Sequence, residues 1–401
     1  MTATVEPLVP EAASHRPAHR AAWDALVRGA SLRVLLALAL IWALFTLLNG
    51  NFLGATNLTN LTLQVAAVSL VSVGVVFVLL LGEVDLSVGS VSGFTAAVMA
   101  VLNVRHGLPG GLAMLVAILL GAAIGVFQGG VISRFGVPSF IATLAGLLAW
   151  QGMQLIVLGD QGAVNLPNGP IVLLTDTFLA PWLGWLLAIA GVVAFAASGV
   201  LTDRRRRVTG LRTRPHWQLA GQAAALALVA IGAVVVFDAD QGVPLAVVIV
   251  LAVLLVADLV LKRTGVGRSV MAVGGNPEAA RRAGIPVRRV RLGVFALGSA
   301  MAAVGGIMAA SRLLAVSGQS GGGEFLLYAI AGPVIAGTSL FGGRGSVWSA
   351  LLGALVIGSI ANGLDLLSLD ASIKYVVTGG VLLAAVTVDA MTNQRRETGR
   401  R

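Results

Sequence analysis

Apolar residues in this chain fall in long unbroken runs separated by short polar gaps, not at the spacing of a half-buried helix or strand. A hydrocarbon slab of roughly 30 Å needs about 20 helical residues at 1.5 Å each. Twelve runs qualify, near residues 34–50, 58–82, 86–104, 108–133, 137–159, 178–201, 217–237, 243–257, 292–311, 325–343, 346–364 and 375–388. The eighth and twelfth are short and the second-to-third join is tight, so the pattern predicts ten to twelve transmembrane helices. The expected fold is all-α and polytopic. A membrane domain over residues 34–390 would lie between tails at 1–33 and 391–401.

Basic residues orient this array. Of the 27 Lys and Arg, 24 lie in every second gap: four in the first tail, Arg134, six in 204–214, eight in 262–291, Arg344, and four in the last tail. Only Arg105, Arg312 and Lys374 lie in the others, which instead collect Asp160, Asp176, Asp238, Asp240, Glu324, Asp365 and Asp370. Cytoplasmic loops retain Lys and Arg at the anionic, negatively polarised face. Both termini are therefore expected in the cytoplasm, with a basic cytoplasmic loop at 203–216 and a second at 262–291. Removing one span would reverse every later loop, so the even parity is firmer than the total of twelve.

Composition agrees: 57% of residues are hydrophobic and 11% charged, whereas a soluble domain carries roughly 25% charged residues. The net charge of +10 is divided among loops, not gathered on one surface, which argues against nucleic acid as a partner. Cysteine is absent, removing disulfides and thiolate sites. The first thirty residues, with Pro7, Pro10, His15, Arg16, Pro17, His19 and Arg20, contain no apolar stretch. They read as a mobile tail without a cleavable signal, with residues 23–33 as a candidate interfacial helix. Gly121, Gly125 and Gly129, and Ser349 with Gly353, recur at the spacing by which helices pack closely in lipid. Residues 81–91 and 336–347 echo each other, each leaving a span through a Gly-rich cytoplasmic turn and entering the next through Gly-Ser-Val. Duplicated halves or coincidence would both produce this.

The candidate chemistry is sparse. A phosphate-binding loop needs G-x-x-x-x-G-K-[ST], and neither Lys262 nor Lys374 completes one. No ionisable residue lies well inside a run; Glu83 and Asp85 sit at a span exit. The polar atoms at depth are neutral: Gln64, Gln128, Thr143, Gln151, Gln154 and Asn362. They suit a route for a hydroxyl-rich solute better than an ion relay, and interhelical hydrogen bonding explains each equally well. Ser320 in Gly318-Gln319-Ser320-Gly321 resembles an intramembrane protease serine, yet no histidine lies in a later span to serve as its base; a flexible turn is expected. No catalytic or metal-binding residue is assigned.

The longest polar segment between spans, residues 262–291, is more specific. Asn276 can cap a helix whose first residue is Pro277. Glu278 lies in its first turn and Arg281 and Arg282 near its end, with Gly284 and Pro286 to stop it. A self-capped helix of about two turns is expected from Asn276 to Gly284, as a surface ornament or a docking knob. A chain without a motor of its own favours docking.

At these residues the chain resembles permease subunits of ATP-binding-cassette (ABC) importers for ribose, xylose and related sugars, over about residues 57–388. Glu83-Val84-Asp85-Leu86-Ser87-Val88-Gly89-Ser90 matches the family's acidic signature turn. Gly275, Asn276, Pro277, Glu278, Ala279, Ala280 and Arg281, with Gly284 and Ile285, match its coupling loop. Ser139 and Phe140, in Val137-Pro138-Ser139-Phe140-Ile141, and Gly337-Thr338-Ser339-Leu340 also match. The D-xylose type is the most similar, through extra spans over about 178–237. Glu83 stands where many relatives have glycine, and residues 325–330 are more apolar than usual, which bears on sugar identity.

The resemblance implies a type II importer permease of the cell membrane, non-catalytic and without its own cofactor. It implies a homodimer around a sugar pathway to which Gln64, Gln128, Ser139, Phe140, Thr143, Gln151, Gln154 and Asn362 are candidates. A cytoplasmic ATP-binding subunit would carry ATP and Mg and dock on the coupling loop, and an extracytoplasmic binding protein would deliver a monosaccharide. A secondary, ion-coupled sugar transporter is the alternative.

Overall fold

The computed structural model describes residues 30–211, 213, 215–380, 383 and 387. Of the expected interfacial helix at 23–33, residues 23–29 lie outside the described residues and 30–33 belong to the first helix. Most of the first tail, all of the last, Arg212, Arg214 and, beyond Gly380, most of the rest of the twelfth run also lie outside. Elsewhere each apolar run carries a helix. In chain order these are α1 (Ala30–Leu48), α2 (Ala55–Leu80), α3 (Val88–Val104), α4 (Gly110–Phe135) and α5 (Ser139–Leu158). A short strand β1 (Ala163–Asn165), a single turn α6 (Leu173–Asp176) and β2 (Phe178–Leu179) follow. Next come α7 (Pro181–Val208), α8 (His216–Asp238), β3 (Val243–Pro244), α9 (Leu245–Arg263), α10 (Gly265–Gly275) and α11 (Pro277–Arg282). The chain continues through α12 (Val287–Leu313), β4 (Ala315–Ser317), α13 (Gly323–Ile335) and α14 (Trp348–Leu366), and α15 begins at residue 371.

Eight of these helices are long and apolar enough to cross a bilayer, and three shorter ones are comparably apolar. The protein is an all-α, multi-pass membrane protein. Its two small antiparallel ribbons, β1 with β4 and β2 with β3, lie in loops and were not expected. The second ribbon explains why the sixth span starts at Pro181 instead of residue 178: Phe178 and Leu179 pair with Pro244 and Val243. The tenth span stops at Ile335, short of residue 343, because Pro333 lies inside its last turn and Gly337 takes φ +96°.

The core is built around α2, buried at almost every position from Leu61 to Leu80. Backbones approach closely where side chains are missing. A Cβ on Gly121 would lie 2.6 Å from the carbonyl oxygen of Ser299, and one on Gly125 would overlap that of Phe295. Gly353 meets Gly332 in the same way. The small-residue spacing in α4 and α14 is thus helix packing. By contrast α7 and α8 form a peripheral hairpin, with only Gly184 and Asp203 buried along α7. Trp185 Nε1 donates to Asp238 Oδ2 at 2.9 Å and closes the hairpin near β2 and β3.

Candidate functional site

The loop that joins α9 to α12 folds as two consecutive short helices. Thr264 Oγ1 caps α10 by accepting from Gly267 N at 3.3 Å, and Val270 and Val273, three residues apart, bury one side of it. The sequence reading missed α10, although the Thr264 cap and the Val270/Val273 spacing signal it. The expected knob is present and shorter, Pro277–Arg282. Asn276 Oδ1 accepts from Ala279 N at 3.0 Å, and Arg281 pairs with Glu278 at 2.9 Å. Gly284 takes φ +83°, and Ile285 N closes the end by donating to Ala280 O at 3.0 Å. Ala280 is buried, while Gly275, Asn276, Pro277, Glu278, Ala279, Arg281 and Gly284 are exposed and Ile285 is half-buried.

The end of α10, which leads into this knob, stands on both echo turns. A Cβ on Gly274 would overlap the carbonyl oxygen of Leu80. Gly343 N donates to that same carbonyl at 2.9 Å, and a Cβ on Gly342 would lie 2.7 Å from Gly82 N. Side chains are excluded from the contact, so the end of α10 touches the turns backbone to backbone.

The first turn is not a solvated cytoplasmic loop, which corrects the placement of Glu83 and Asp85 at a watery exit. Ser92 in α3 lies against Gly306, nineteen residues into α12 and so roughly 28 Å from its start. Residues 82–87 therefore run back into the protein before α3 begins, and irregular backbone at membrane depth is tolerated only where protein surrounds it. Here α5 supplies the partners: Val84 N donates to Ser139 Oγ at 3.4 Å and Leu86 N to Thr143 Oγ1 at 3.1 Å. Asp85, 3% exposed, accepts from Ser87 N at 2.8 Å and Ser87 Oγ at 2.6 Å. Its Oδ2 has no partner. Gln128 Nε2 donates to Ser87 Oγ at 2.9 Å, and Ser90 Oγ donates to Ser87 O at 2.9 Å. Glu83 pairs with Arg291, in the first turns of α12, at 2.8 Å. Gly89 closes on Gly321, where a Cβ would lie 2.6 Å from the carbonyl oxygen.

Three candidate pathway residues, Gln128, Ser139 and Thr143, thus converge on the signature turn. The others do not join them. Gln154, 1% exposed, donates to the carbonyls of Ser317 and Ser320 at 2.8 and 3.0 Å. Asn362 exchanges hydrogen bonds with Asn57 at 2.9 and 3.0 Å. Gln64 is half-buried on α2, and Phe140 and Gln151 are exposed along α5.

At the end of α12 away from the knob lies a cavity of about 600 Å³, walled by Ser92, Gly93, Gly306, Ser320, Glu324 and Tyr375 among others. Sequence reading passed over it by treating residues 318–323 as a flexible turn. The turn is braced instead: Ser320 Oγ accepts from Ser317 N at 3.0 Å, and Gly321 takes φ +73° against Gly89 and Gly93. The run of three glycines, Gly321 to Gly323, was the available signal.

The family model for the permease component of branched-chain amino acid transport systems matches residues 57–386. The chain is 37% identical over 347 residues to the xylose transport system permease protein XylH of Escherichia coli K12, covering 86% of this chain and 88% of that one. It is 36% identical over 364 residues to the Haemophilus influenzae XylH, covering 90% and 96%. It is 32% identical over 355 residues to the ribose import permease protein RbsC of Escherichia coli K12, covering 88% and 92%. No solved structure matches. With one family matched along 330 residues over a bundle of apolar helices, the chain belongs to the family of these transport-system permease components.

Proposed function

We propose that this chain is the membrane subunit of an ATP-driven monosaccharide importer, with D-xylose or a related pentose as its solute. The relatives named for xylose and ribose transport support the solute class. The observation that carries the mechanism is the α11 knob, a self-capped helix that exposes Glu278 and Arg281 and is joined directly to the end of α10, whose Gly274 rests through backbone on two turns at once. A cytoplasmic ATP-binding subunit docks there. Its closure on ATP displaces the knob, and the backbone contacts at Leu80, Gly82 and Gly342 pass the displacement to residues 82–87. Ser139, Thr143 and Gln128 then carry it into α5 and α4. Alternating access requires the solute to meet different contacts in two states, and this path lets the motor change them.

A homodimer fits the shape of α5. Phe140, Leu144, Leu148 and Gln151 follow helical spacing along a face that a single chain leaves exposed, while Thr143 and Gln154 face inward. In this reading the open face borders the pathway between two copies. The basic loops are cytoplasmic, and a binding protein delivers sugar at the opposite side.

Glu278→Lys removes the only acidic charge of the knob, raising its net charge from +1 to +3, without touching the core. Reconstituted with its ATP-binding and binding-protein partners, the variant should lose ATP-dependent D-xylose uptake by at least about tenfold, with its melting temperature unchanged. Normal uptake and normal ATPase association would remove the knob from the coupling path. Uptake that stops with a protonophore while ATP persists would favour an ion-coupled carrier instead.

A further inference from the structure

We propose that the cavity between α3, α12 and the start of α13 is a binding site for a neutral, hydroxyl-rich solute, in which Glu324 is the specificity-determining acceptor. The inference rests on the sugar-import reading and adds a location and a residue to it.

Size comes first. About 600 Å³ lies within the ordinary range of roughly 300–1,000 Å³ for small-molecule sites. The wall is also preformed. Gln154 clamps two carbonyls of the loop, Ser320 braces its entry, and Gly321 is pressed so closely on α3 that a Cβ would overlap Gly89 O. Such a wall holds its shape when the cavity fills, which lowers the ordering cost of binding.

Chemistry comes next. Neighbouring backbone fills the place of a side chain at Gly93, Gly306 and Gly321, whereas Gly323 is open there, so a compact solute can approach the main chain at Gly323 directly. Ser92 donates its proton to Gly89 O at 2.6 Å and keeps acceptor capacity. Glu324 has no ion pair among the described residues. An unpaired carboxylate accepts strong hydrogen bonds from hydroxyl groups. A cation is the other occupant it could take, but no group of three His, Asp or Glu side chains surrounds one among the described residues. The Ser92 hydroxyl, the open main chain at Gly323 and the Glu324 carboxylate match several hydroxyls better than one point charge.

Position completes the case. One unbroken helix of 27 residues, α12, starts just after the knob and reaches the cavity at Gly306, Ala309 and Ala310. A displacement at the knob can therefore alter the cavity wall directly.

The test uses the full complex in proteoliposomes, measuring ATP-dependent uptake of labelled D-xylose with D-ribose and 2-deoxyribose as competitors, with and without sodium. Glu324→Ala should raise the half-saturating concentration about tenfold or more and shift the order in which the competitors act. The isosteric Glu324→Gln should raise it by about threefold, and sodium should have no effect on either. Wild-type affinity and competitor order in both variants, with both melting like wild type, would overturn the site. Equal loss in both variants together with sodium-dependent uptake by the wild type would assign the cavity to a cation. A wild-type complex that imports no pentose on ATP would instead refute the sugar reading, and the site would fall with it.

Discussion

Single side chains set the local geometry at both candidate sites. Asn276 is the clearest case, since its Oδ1 satisfies the Ala279 amide that would otherwise be orphaned at the start of α11. Asn276→Ala should cost about 1 kcal/mol of local helix stability. Hydrogen exchange at residues 279–283 should quicken by about fivefold, the exchange equivalent of that loss, while the spans stay protected; unchanged exchange would show that the cap is idle. This role was legible because a cap, Pro277 and Gly284 are all local in sequence. Asp85 was not. Its burial depends on Ser139 and Thr143 contacting the turn from α5, more than fifty residues away, and no local pattern reports that contact. Of the polar residues inside apolar runs, the side chains of Gln128, Thr143, Gln154 and Asn362 have hydrogen-bond partners, and nothing local in the sequence names those partners.

Elements meet through glycine where their backbones pack closest. Gly125→Leu would push α4 from Phe295 and Ala296, and overpacking of this kind costs about 1–3 kcal/mol or more. A melting temperature lower by several degrees is expected, with loss of monodisperse elution; a wild-type melt would mean the two helices part without penalty. The Glu83–Arg291 pair, 13% and 29% exposed, ties the buried turn to the first turns of α12. Breaking a partly buried pair leaves the other charge unmatched. Glu83→Gln should therefore destabilise the protein, and the exchange Glu83→Arg with Arg291→Glu should recover part of the loss. If the exchanged protein melts no higher than the single variant, the pair is not the cause. Helix existence and order were readable from the runs, because bilayer length forces twenty apolar residues per span. The depth at which α3 starts was not, since an apolar run looks alike wherever its first turn lies.

For the molecule as a whole, the alternation of basic loops predicts that α7 and α8 are removable as a pair. Only 6% of the apolar stretch of each helix is buried, and both ends return to the same ribbon. Leu179 lies directly opposite Val243, so the chain can pass from one to the other through a two-residue Asn-Gly turn of the kind that joins antiparallel strands. Replacing residues 180–242 with that turn removes two spans, which leaves the side of every later loop unchanged. The rest of the protein would give up little: the Thr56–Asp240 hydrogen bond at 2.8 Å, the packing of Val236 against the cluster of Leu58, Leu61 and Val65, and the packing of Val234 and Phe237 on Val243. The shortened protein should insert, elute as the same oligomer and melt within several degrees of the full chain, with its α10–α11 loop still accessible to cytoplasmic labelling of an introduced cysteine. Misinsertion, with that cysteine labelled from outside, would mean that the basic loop between α7 and α8 orients the spans that follow it. Retained topology would show that the hairpin is an independent addition to a ten-span core, and that the eight basic residues of 262–291 hold their own side of the membrane.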